Sequence, residues 1–94
     1  MNCKKENILS WKSEGVKLGL IDIREFYESP EINDSEVINV PMGELLSYDF
    51  NVETTYVLIC GTGRRATAAV MEIARIKPEV KVYALDGGAE AYLA

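Results

Sequence analysis

Thr54-Thr55-Tyr56-Val57-Leu58-Ile59-Cys60 runs directly into Gly61-Thr62-Gly63-Arg64-Arg65. The first seven residues are almost all β-favouring or apolar types without charge, which predicts a buried central strand. Two glycines break it. The alanine-rich stretch Ala66 to Ile76, with Met71 and Ile73, then predicts a helix closed before Pro78.

Working outward, Leu18 to Ile23 is a short apolar run ending in Asp22-Ile23-Arg24 and reads as another buried strand. Glu36 to Val40 predicts a strand stopped by Pro41, and Val80 to Leu85 the last strand, with Gly87-Gly88 leading into a short terminal helix. Apolar spacing from Glu6 to Glu14, with Ile8, Leu9 and Trp11, predicts an amphipathic helix ended by Gly15. Glu25 to Glu28 is expected to form one helical turn before Pro30, and Met42 to Tyr48 another short helix. Strands alternating with helices predict an α/β fold with a small parallel sheet covered on both faces. Ligands of such sheets bind beyond the carboxyl ends of the strands, where Cys60 lies.

Ninety-four residues make one domain, and a 48% hydrophobic and 27% charged composition is that of a globular chain. A formal net charge of −5 argues against nucleic-acid binding, so an anionic ligand must be attracted by local cations and backbone dipoles. Two cysteines, Cys3 and Cys60, do not make a disulfide framework, and a reduced, cytoplasmic setting is expected. Cys3 is expected to be a flexible, exposed and incidental thiol. No stretch has the apolar length of a signal peptide or a membrane span, and there is no internal repeat, low-complexity tract or linker. No cofactor or metal is expected. Trp11, Tyr92 and the other aromatics lack the clustering that base stacking needs and are expected in the core or at its edge.

The loop after Cys60 invites chemistry. A helix is expected to open five or six residues beyond it, and unpaired N–H groups at a helix start stabilise an anion. Gly61 and Gly63 let the backbone turn several N–H groups inward, and Arg64 and Arg65 add positive charge. Together these favour the thiolate, the nucleophilic form of cysteine. A lone cysteine ending an apolar strand is more often an inert core residue, but two glycines and two arginines after it are poorly explained by packing.

Gly61-x-Gly63-x-x-Ala66 also fits a dinucleotide-binding fingerprint, with Asp86 at a plausible distance. That motif opens its fold and needs further strands downstream, whereas only Ala89 to Ala94 follow Gly88. A cysteine-dependent phosphatase loop needs its arginine one position later than Arg65, where this chain has Ala66. The shorter loop makes a cradle suited to one sulfur rather than a phosphate.

Cys60-x-x-Gly63-x-Arg65 resembles the active-site loop of the rhodanese (sulfurtransferase) family. Leu20-Ile21-Asp22-Ile23-Arg24-Glu25, Val37-Ile38-Asn39-Val40-Pro41 and Leu85-Asp86-Gly87-Gly88 resemble other segments of that family, in the same order. The chain departs from it at Glu31 to Glu36, which replace a histidine-containing stretch, at Tyr92 in place of tryptophan and at Ala66 in place of serine.

The resemblance implies a rhodanese-like fold and a sulfurtransferase with Cys60 as catalytic nucleophile. Its substrate-binding loop would be Gly61, Thr62, Gly63, Arg64 and Arg65. The implied partners are a small anionic sulfur donor, thiosulfate or mercaptopyruvate, and a protein or small-molecule sulfur acceptor. One of the two arginines is free to pair with a carboxylate instead, and Asp22 and Arg24 are expected to support loops. A sulfur carrier without turnover, or a binding module on the same fold, is the alternative.

Overall fold

Thr55–Ile59, the fourth strand in chain order (β4), is buried along its whole length. In the computed structural model, which describes Met1–Ala94, it lies at the centre of a five-stranded sheet. The other strands are β1 (Asn2–Cys3), β2 (Leu18–Asp22), β3 (Val37–Asn39) and β5 (Lys81–Leu85), in the order β1-β5-β4-β2-β3. Every neighbouring pair is parallel. Three α-helices complete the fold: α1 (Lys5–Ser13), α2 (Arg64–Ile76) and α3 (Gly88–Leu93).

Side chains of a strand alternate between its two faces, and β4 feeds two cores in this way. Tyr56, Leu58 and Cys60 join Ala66, Ala69, Val70 and Ile73 of α2. Val57 and Ile59 join Ile8 of α1 and Ala89 and Tyr92 of α3 on the other face. The four buried α2 residues recur at three- and four-residue spacing, so one stripe of the helix covers the sheet.

The main elements lie within a residue or two of their expected places, and the departures have physical causes. Glu25 to Glu28 is a turn, closed by the Glu28 N–H on the Glu25 carbonyl at 3.1 Å, rather than a helical turn. Its central residues, Phe26 and Tyr27, stand 86% and 72% exposed, against the expectation that the aromatics lie in or beside the core. Met42–Ser47 is a 3-10 helix that buries only Leu45. The strand β1 was too short for any periodic pattern to announce it. It pairs Asn2 with Ala84 and Cys3 with Leu85, and so buries Cys3 rather than leaving it mobile and exposed.

Candidate active site

Cys60 follows the last residue of β4, and Gly63 caps the helix that comes next. Helix α2 opens at Arg64, earlier than expected, so both arginines belong to its first turn rather than to the loop. Gly63 makes this possible with φ of +100°, a conformation that costs a residue with a side chain roughly 1–2 kcal/mol. The tight turn brings the helix start onto the sulfur. Cys60 Sγ accepts hydrogen bonds from the Gly63 N–H at 2.9 Å and the Ala66 N–H at 3.4 Å. Of the expected donors from Gly61 to Arg65, only Gly63 reaches the sulfur; Ala66 is one the sequence did not single out.

The loop is buttressed from below. Gly88, at φ +60°, packs so closely that a Cβ there would lie 2.3 Å from the Cys60 carbonyl oxygen. The Ala89 N–H donates to that same oxygen at 2.8 Å. The pair Gly87-Gly88 therefore holds the end of β4 against the start of α3.

The two arginines part company. Arg64 is exposed and forms no ion pair, lining a polar groove of about 430 Å³ with Asn2, Thr62, Thr67 and Asp86. Arg65 folds back over the loop, with Nη2 3.2 Å from where a Gly61 Cβ would lie. It grips Glu28 with both arms, Nη1 to Oε2 at 2.9 Å and Nη2 to Oε1 at 2.7 Å. Paired, planar contacts of this kind are the strong form of an ion pair. Hydrogen bonding by Arg65, followed by the Glu25 N–H, holds the Glu28 carboxyl down at about 2, and Glu28 in turn raises Arg65. The pair is therefore charged throughout the neutral range. Its contribution is present above the ordinary carboxylate pKa and is lost only as pH falls toward 2.

Glu28 was not among the residues expected at the site; its place depends on a turn that crosses from β2 to α2, which no local spacing reports. The Asp22 and Arg24 side chains bond each other rather than the Cys60 loop. Arg24 donates from Nε to Asp22 Oδ1 at 3.0 Å and from Nη2 to Oδ2 at 3.1 Å. Asn39 Nδ2 donates to the carbonyls of both residues at 2.8 Å. Yet Arg24 is only 2% exposed, and its Nη1 has no hydrogen-bond partner. An unpaired buried donor costs about 1–3 kcal/mol, and more when charged.

Cys60 is itself fully buried, and none of the surface cavities reaches it. Cys3 lies across β5 from it and on the opposite face of the sheet. Two strand spacings put them about 9–10 Å apart, beyond disulfide reach. No three acidic, histidine or cysteine side chains gather as a metal site, and no helix is long and apolar enough to cross a membrane.

The fold is a parallel α/β domain with a cysteine just beyond its central strand and the sulfur held by backbone N–H groups at a helix start. The chain belongs to the rhodanese-like domain family, whose profile matches residues 6–94. A rhodanese-related protein from Thermoplasma volcanium superposes with a TM-score of 0.79 at 20% identity, covering 98% of this chain and 89% of that one. A rhodanese-like domain protein from Staphylococcus aureus gives 0.80 at 18% identity, covering 98% and 91%. A thiosulfate sulfurtransferase from Pseudomonas aeruginosa gives 0.74 at 17% identity, but the match spans 98% of this chain and only 18% of that one. No curated protein sequence matches.

Proposed function

We propose that this domain is a sulfurtransferase that carries sulfane sulfur as a persulfide on Cys60. The observation that carries the reading is the pair of backbone N–H groups, from Gly63 and Ala66, directed at Sγ. Preorganised N–H dipoles stabilise charge on the sulfur they face, and Sγ bears charge both as the attacking thiolate and as the thiolate released when the acceptor takes the outer sulfur.

In the proposed cycle the Cys60 thiolate attacks the outer sulfur of thiosulfate. A new S–S bond forms, the old one breaks, and sulfite leaves with the electron pair. An acceptor nucleophile such as cyanide, or a thiolate of a partner protein, then attacks the outer sulfur and releases the Cys60 thiolate. The attack so written uses a thiolate and calls on no general base. Arg64 and Arg65 attract the anionic donor, which is thiosulfate, mercaptopyruvate or a persulfide on a partner, in the reducing cytoplasm. Membranes and nucleic acids have no part in this reading.

Full burial of Cys60 favours a second reading, a carrier or regulatory module that accepts sulfur only from a protein able to open the loop. Intact mass after incubation with thiosulfate tests the first. We expect a reducible gain of one sulfur in the wild type and none in Cys60→Ser. No gain from thiosulfate or mercaptopyruvate would sink direct transfer from small molecules, and release of thiocyanate from cyanide separates turnover from mere carriage.

A further inference from the structure

Glu28 occupies the group that an anionic sulfur donor needs. Arg65 is the cation folded over the Cys60 loop, and both its terminal nitrogens are spent on the Glu28 carboxylate. A donor that is to use the same two-pronged face of that guanidinium must displace Glu28.

A second cation with a free donor borders the same cleft as the Glu28 carboxylate. Glu28 and Arg24 line the same small cleft, of about 150 Å³, together with Asp22. Asp22 uses Nε and Nη2 of Arg24 and leaves the buried Nη1 without a partner. Glu25 and Glu31 also line this cleft, but both are exposed and neither bonds Arg24. The turn that carries Glu28 has Phe26 and Tyr27 in solvent, so few apolar contacts resist its movement.

Resting on the sulfur-transfer reading for its substrate, we propose that Glu28 is a gate. It holds Arg65 closed over Cys60, and it yields Arg65 to an incoming anionic donor by turning its own carboxylate to Nη1 of Arg24. No charge is left without a partner in the exchange: Arg65–Glu28 and Arg24–Asp22 are paired before it, and afterwards Arg65 holds the donor while Arg24 holds both carboxylates. The gate makes entry selective for anions, since a neutral molecule offers Arg65 nothing in return for Glu28. It is also indifferent to pH near neutrality, because the carboxylate held at about 2 stays ionised.

The test follows access to the sulfur rather than catalysis. Cys60 is alkylated with iodoacetamide, a neutral reagent, and its rate read by peptide mass, with sulfate as an inert anion at constant ionic strength. In the wild type the rate is expected to be slow and to rise saturably with sulfate. In Glu28→Gln it is expected to be roughly fivefold faster without sulfate, the upper range for breaking such a pair, and to gain nothing from it. Arg24→Lys, which lacks Nη1, is expected to start slow and lose the sulfate response. Equal rates and equal sulfate responses in the wild type and Glu28→Gln would overturn the gate. Persulfide loading from thiosulfate is measured on the same samples. Gated alkylation without loading keeps the gate and removes the sulfur-transfer reading, whereas loading without gating removes the gate alone.

Discussion

Cys3 and Cys60 are both buried free thiols at the carboxyl end of one sheet, and their surroundings differ in kind. Around Cys60 the backbone turns two N–H groups onto the sulfur. Cys3 is buried in an apolar cluster with Ile8, Leu85 and Tyr92, with Asp86 near enough to repel a negative sulfur. Burial first, and Asp86 second, push the Cys3 thiol up to about 11. Equal exclusion from water thus accompanies opposite local fields. What separates the two sulfurs is the direction of nearby N–H dipoles and charges, not exposure.

The largest effect that tests this contrast is expected from Gly88→Ala. A Cβ there meets the Cys60 and Gly61 carbonyls at 2.3 and 2.5 Å, so the loop must move. We expect a loss of about 2–4 kcal/mol by denaturant titration, with persulfide loading lost at the same time. If the variant loads normally, the N–H cradle is not what activates Cys60.

A smaller effect should come from alkali. The folded state holds the proton on Cys3 above its ordinary value of 9.0, so it binds more protons than the unfolded chain between pH 9 and 11. The contribution from this thiol is full below 9 and falls as pH rises toward 11. Thermal unfolding should show that decline in the wild type and a flatter profile in Cys3→Ala, which should still load sulfur on Cys60. Smallest of all is Asp86→Asn. Because burial is the larger cause, the substitution should lower the alkaline midpoint by less than half of the total displacement. A full return to the ordinary value would reverse that order of causes.

The same contrast explains what could be read before any coordinates. The central strand, the glycine loop, the helix from the alanine run and the sulfur itself are local patterns, and Cys60, Gly63 and Arg65 carry their meaning in their spacing. Alternation of strands and helices gave the parallel sheet, but not the strand order β1-β5-β4-β2-β3, which depends on long-range pairing. Cys3 could not be placed, because a two-residue strand has no period and is defined only by Ala84 and Leu85 beside it. Glu28 escaped for a related reason. Its partner Arg65 is 37 positions away, and the turn between β2 and β3 had no pattern to show which way its carboxylate points. Phe26 and Tyr27 were misassigned because aromatic residues are usually buried, and nothing in their neighbours marked an exposed turn.

The place of β1 has a consequence in time as well as in space. Its neighbour β5 is synthesised long after it, and Asn2 bonds Asp86 across 84 positions. Pairing over such a distance cannot form while the ribosome still holds the distal segment. Gly88, which props the Cys60 loop, emerges at the same late stage. On a nascent chain the Cys60 loop would therefore stay without its prop until β5 and Gly88 had left the ribosome, although Cys60 itself is made well before them.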